Sequence, residues 1–239
     1  MRVCLCFLGL QRTFDQTAEK IISAVMDSSH VYMPMYVTWE SEPVDVISRV
    51  LPTARIVRIR DVKQDGPEFT AWKQGLQMHI SWRRTYEPEA ALFRYFQQIY
   101  LWNQAALLLA PHAGSFDLMV RLRTDVVYSF PLSPFYEMAL AEQTPSVWVS
   151  ENPRQSILNE RECCPDQIFF AKPREFLHTL SILQHVHQYT LNYLETNRKW
   201  FPIDTWERNI LQPETTLFYY IKGSGMKVHS LPISIEVIR

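Results

Sequence analysis

The sequence predicts an α/β fold with a mostly parallel central sheet flanked by helices. Three observations carry that expectation. Residues 3–59 read as strand, helix, strand, helix, strand, an order that folds into parallel strands joined by right-handed crossovers. A helical stretch over residues 90–109 runs straight into a strand pattern that begins at Phe116. Short apolar strand patterns then keep alternating with helical ones. No repeat or domain boundary interrupts the 239 residues, so residues 1–239 read as a single domain, long enough to bury a full core.

Val3 to Leu8 is the first buried strand, and Gly9 to Thr13 is the loop leaving its carboxyl end. Asp15 is placed to cap a helix whose Ala18, Ile21, Ile22 and Val25 recur at helical spacing. Val31 to Thr38 is a second strand, Pro43 to Leu51 a short helix with proline in its first turn, and Ala54 to Ile59 a third strand. Residues 61–87 show no clear period, which marks either a functional lid or a helix hidden from periodicity. Glu87-Pro-Glu89 opens the helix over residues 90–109 with acid at its positive end, and Pro111 and Gly114 close it. Ser133 to Glu142 is a short helix, Ser146 to Val149 a strand, residues 151–164 a polar loop and Asp166 to Ala171 a strand. Pro173 to Asn192 reads as one long helix, Gln212 to Gly223 as another, and Met226 to Leu231 as a late strand.

The strand pattern that starts at Phe116 is unusual. Phe116, Leu118, Val120 and Leu122 alternate with Asp117, Met119, Arg121, Arg123 and Asp125, so two arginines and an acid fall on one face. A central strand of a parallel sheet should be apolar on both faces. Burying such a row is costly unless the charges pair or line a wet cleft. Two readings stand: an ion pair at a strand end, or an anion-binding cleft at the carboxyl edge of the sheet.

Composition narrows the class. A net charge of −1 gives no electrostatic reason to expect nucleic acid as a partner. Cys4 and Cys6 share a strand face and Cys163 and Cys164 are adjacent, so neither pair has zinc-ligand spacing and free thiols are expected. The apolar run at the N-terminus is too short for a signal peptide and no stretch is long enough to span a membrane, so a cytoplasmic protein without a transmembrane segment is expected. Neither a Walker-type glycine-lysine loop nor a Gly-x-Gly-x-x-Gly turn follows the first strand. A nucleophile elbow and a His-Glu-x-x-His helix are also missing.

Several short words in a fixed order carry a resemblance. They are Cys-Phe-Leu-Gly-Leu-Gln-Arg-Thr at 6–13, Thr38-Trp39, and Phe96-Gln-Gln-Ile-Tyr-Leu-Trp-Asn103. Arg121-Leu-Arg-Thr-Asp-Val126, Asp166-Gln-Ile-Phe-Phe170 and a closing Pro-Glu helix followed by His229 complete the set. In that order the chain resembles the GT-A class of nucleotide-sugar glycosyltransferases, and in particular a viral and microbial group containing the capsid-glycosylating rhamnosyltransferase domain of chlorella viruses. The resemblance implies a GT-A-like, Rossmann-like domain that transfers a hexose or deoxyhexose. The donor would be a nucleoside diphosphate sugar, UDP-linked by expectation, and the acceptor a hydroxyl of a glycan or glycoprotein.

It also implies roles. Arg12 would meet the nucleotide or its phosphates, with a surface arginine as the rival reading. Thr38 and Trp39 would line the nucleoside pocket, against a core tryptophan. Gln98, with Gln97 and Asn103, would form a polar cleft wall. Asp125 matches the acid of the family's Asp-x-Asp element, which holds a divalent cation, Mn²⁺ or Mg²⁺, on the diphosphate. The element is incomplete here, because Arg123 precedes Asp125 by two and Val127 follows by two. His229 would complete the metal set, or be structural. Arg121 and Arg123 would instead neutralise part of the diphosphate themselves. Asp166 would be the base of an inverting transfer, with Glu151 and Glu160 as substitutes and a capping or solvated role as the rival. The alternative function is a non-catalytic nucleotide-sugar-binding or assembly module.

Overall fold

A computed structural model of the chain describes residues 1–11, 13–79, 89–129, 131–150, 167–186, 213–233 and 235–238. The first half follows the expected winding: β1 (Arg2–Leu8), α1 (Phe14–Val25), β2 (Val31–Trp39), α2 (Asp45–Val50) and β3 (Arg55–Ile59). Next come α3 (Pro67–His79), α4 (Glu89–Leu109), a 3₁₀ turn (Ala110–Ser115), β4 (Leu118–Leu122) and β5 (Val126–Tyr128). The remainder is α5 (Ser133–Ala141), β6 (Ser146–Ser150), β7 (Ile168–Ala171), α6 (Pro173–Leu180), α7 (Ile182–Val186), α8 (Pro213–Gly223), β8 (Lys227–Leu231) and β9 (Ile235–Val237).

Seven strands form one sheet in the order β3-β2-β1-β4-β7-β6-β8. All neighbours are parallel except at β7, which runs antiparallel to both β4 and β6. Strand alternation sorts the core into two layers. Cys4, Cys6, Met35, Val37, Met119 and Phe169 face α3, α4 and α6, whereas Val3, Leu5, Phe7, Val120 and Phe170 face α1, α2 and α5. Both faces of β1 are thus covered, which is why its sequence is an unbroken apolar run after Arg2. This is the mostly parallel, helix-flanked α/β architecture the sequence predicted. Among the described residues, no helix is long and apolar enough to cross a membrane.

Of the two readings of residues 61–87, the hidden helix is the one found: residues 67–79 are helical, and Phe69 and Trp72 anchor this helix on Phe96 of α4 at ring distances of 5.3 Å each. The structure differs from the sequence reading in three places. Helix α1 is preceded by Thr13 without a side-chain cap bond, and Asp15 sits inside its first turn. The helix that starts at Pro173 breaks at Ser181, whose amide bonds back to both Leu177 and His178 carbonyls. The pattern over 116–128 is two strands: β4 ends at Leu122, and β5 joins a separate ladder with β9. The expected loop over 151–164 lies outside the described residues.

Cys4 and Cys6 are buried on one face of β1 as free thiols. Burial pushes the Cys4 thiol up to about 12 and the Cys6 thiol well above its ordinary value. The thiolate is the reactive form, so both should be inert at neutral pH. Treating the native protein with an aromatic disulfide and mapping labelled peptides should find neither cysteine modified until denaturant is added. Rapid native labelling of Cys4 or Cys6 would contradict the burial.

Candidate active site

The strand order reverses between β1 and β4. The chain winds outward from β1 through β2 to β3, then returns to place β4 on the other side of β1. Open α/β sheets leave a crevice outside the carboxyl ends of the strands at such a switch point. Register pairs Phe7 with Leu122, so β1 and β4 end together and their loops meet there.

On the β1 side, Gly9 has φ 118°, a conformation that a side chain would strain, and a Cβ there would meet nothing within 4 Å. Tyr36 donates its hydroxyl to the Gly9 carbonyl at 2.8 Å. Gln11 is buried; its backbone amide donates to Glu42 Oε1 at 2.9 Å and its side-chain amide to Asp45 Oδ1 at 3.3 Å. These bonds fix the loop just before α1 begins.

On the β4 side, Arg123, Thr124 and Asp125 form the turn between β4 and β5. Arg123 donates from Nε to Asp125 Oδ1 at 2.8 Å and from Nη2 to Oδ2 at 2.7 Å. This is the bidentate fork that makes arginine–carboxylate pairs strong and directional. The Thr124 hydroxyl donates to the Leu10 carbonyl, joining the two loops. Thr17 of α1 donates its hydroxyl to the Thr124 carbonyl at 2.6 Å in a buried setting, worth about 1 kcal/mol net. From the C-terminal end, the Ile238 amide donates to the Asp125 carbonyl at 2.9 Å. Three separate segments therefore clamp one turn.

The structure separates residues that the alternation put on one face. Arg121 lies inside β4 on the α4 side, buried, with its guanidinium carbon 5.1 Å from the Trp102 ring centroid. Arg123 and Asp125 belong to the turn beyond the strand end. Three charges in a row on one face of a covered strand would be expensive to bury, and ending the strand at Leu122 removes two of them from the sheet.

His229 lies on β8, at one edge of the seven-stranded sheet. Strand order puts β8 three strand spacings, roughly 14 Å, from β4. Its ring stacks on Trp148 at 4.4 Å and its Nε2 lies 3.3 Å from Glu142 Oε2. Glu142 sits in the loop leading into β6, where the Thr144 amide and hydroxyl bond its carboxylate and hold its pKa down to about 2. Thr38 is fully buried at the end of β2, and Trp39 packs in the core, stacked on Tyr100 at 6.2 Å. The core reading of Trp39 fits that position. Gln98 is half-buried on α4 and Asn103 is buried there. Arg12 and Asp166, with Glu151 and Glu160, lie outside the described residues.

A resident Mn²⁺ or Mg²⁺ needs several oxygen ligands converging on one point. Asp125 offers one carboxylate, already held at both oxygens by Arg123. Among the described residues, no three His, Cys, Asp or Glu side chains group closely enough to hold a metal ion. The described donor set does not fit such a cation.

Sequence reasoning missed the clamp. Thr124 stands between Arg123 and Asp125, and Gln11 lies in the loop that follows the first strand, so both were within reach. Thr17 gave no signal, because a threonine inside a helix reads only as a weak helix former.

No family model matches the chain, and no curated protein matches it in sequence. Solved structures similar in shape include mouse xyloside xylosyltransferase 1 in its apo form, at 9% identity and TM-score 0.49 over 97% of this chain and 85% of that one. They also include the glycosyltransferase GlyE of Streptococcus pneumoniae TIGR4, at 12% identity and TM-score 0.42 over 97% of this chain and 45% of that one. The chain thus spans under half of the second structure's length, and at these identities and scores neither likeness carries an inference about chemistry.

Proposed function

We propose that this chain is a glycosyltransferase that moves a hexosyl or deoxyhexosyl group from a nucleoside diphosphate sugar, UDP-linked in our reading, to a hydroxyl of a glycan or glycoprotein. The observation that carries the reading is the β1–β4 switch point, where the Thr124–Leu10 bond joins the Gly9 loop to the turn that holds the Arg123–Asp125 pair. An anionic, elongated donor suits a site with a fixed guanidinium beside a helix start. The ordered words of the sequence supply the class of chemistry.

In the reaction the acceptor oxygen attacks the anomeric carbon as its bond to the diphosphate oxygen breaks. The bonding pair leaves with the diphosphate, and the acceptor proton passes to a carboxylate. Arg123 meets the negative charge that grows on the leaving group, which is where a preorganised donor accelerates transfer. Asp166 is the proposed base, and attack opposite the leaving group would make the transfer inverting.

Nucleoside diphosphate release from a panel of nucleotide sugars, with and without glycan acceptors, tests the reading. Asp166→Asn should lower turnover by about 100-fold or more with donor affinity kept. Release of pyrophosphate in place of nucleoside diphosphate would reassign the chain to nucleotidyl transfer. Tight donor binding without turnover across the panel would make it a binding module.

A further inference from the structure

In the pair at the β4–β5 turn the acid lies deeper than the base: the Asp125 side chain is 4% exposed and that of Arg123 is 22% exposed. A carboxylate that receives a metal from the crevice needs the opposite order, with its oxygens outermost. Here the Asp125 oxygens point into the guanidinium at 2.8 and 2.7 Å, and the position that would extend the oxygen set is Arg123 itself. The backbone leaves little freedom to exchange the two. The Ile238 amide bonds the Asp125 carbonyl at 2.9 Å, and Thr17 and Thr124 bond the turn to α1 and to the β1 loop.

We infer that Asp125 is a positioning residue that aims Arg123, and that the Arg123 guanidinium takes the charge-compensating place that a resident divalent cation would hold at the diphosphate. The inference rests on the proposed donor chemistry for its ligand, but its geometry stands on the turn alone. A positioned guanidinium is a permanent cation that attracts phosphate and needs no metal loading. The carboxylate behind it fixes the fork's orientation, as second-layer acids do for other ligating groups.

Two titrations on the full chain test this. In the first, UDP binding is measured by calorimetry in chelator and again with Mn²⁺; the two affinities should agree within about twofold. Asp125→Asn should weaken UDP binding by about fivefold to tenfold through a misaligned Arg123, with no recovery on adding Mn²⁺. A purely structural Asp125 would leave UDP affinity of the folded variant unchanged, which would sink its positioning role. In the second, Mn²⁺ alone is titrated and followed by electron paramagnetic resonance. Bound Mn²⁺ that disappears in Asp125→Asn would overturn the inference, as would UDP binding that tightens about tenfold or more with Mn²⁺. The absence of Asp125-dependent Mn²⁺ binding would support it. If UDP binds under neither condition, the donor reading fails on its own, and the Mn²⁺ titration still decides whether Asp125 is a metal ligand.

Discussion

Replacing Arg123 by alanine is expected to lower sugar transfer by about 100-fold or more, the usual consequence of removing one preorganised donor from a developing oxyanion. The same substitution removes two charge-assisted bonds from the Asp125 carboxylate, which is 4% exposed, and should cost about 2–3 kcal/mol of stability. The two effects separate in a double-mutant cycle. Asp125→Ala in the Arg123→Ala background should cost little further stability, because the pair is already broken, whereas activity should not return. Arg123→Lys keeps the charge but loses the fork, so it should retain folding better than activity. Turnover by Arg123→Ala at the wild-type rate, measured well below its melting temperature, would remove Arg123 from the chemistry.

That prediction depends on a turn the sequence hid. The apolar parity runs from Phe116 to Leu122, lapses at Thr124 and resumes at Val126 and Tyr128, so a single polar residue is all that marks the exit from the sheet after Leu122. Alternation reports faces and is blind to a change of ladder. For the same reason the reversed direction of β7 was invisible, since an apolar run reads identically along or against its neighbours. The pairing of β5 with β9 was equally hidden, being set by contacts far apart in the chain. By contrast β1, β2, β3, α1 and α4 were legible because each had a strong local signal that packing left intact. At the site, the sequence placed Arg123 and Asp125 near the carboxyl edge and offered an ion pair at a strand end as one of two readings; the structure shows that pair and supplies its bidentate geometry, which the residue types alone did not fix.

Arg121 makes the complementary case, a charge held inside the core. Its guanidinium carbon sits 5.1 Å from the Trp102 ring centroid, and Trp102, 1% exposed, also meets Phe169 edge-on at 5.9 Å. Trp102→Ala is therefore expected to destabilise the fold by about 3–5 kcal/mol, combining lost apolar burial, a cavity between α4 and the sheet, and loss of the ring face under a cation. For a chain of this size the melting temperature should drop by on the order of 10 °C. Trp102→Phe keeps a ring and should cost clearly less. Arg121→Met in the Trp102→Ala background then asks what the ring does for the charge. If the cation–π contact matters, the methionine should cost less there than in the wild type, since part of what it removes is already gone. Equal costs in both backgrounds would show that Arg121 is held by its other partners and that Trp102 contributes through packing alone.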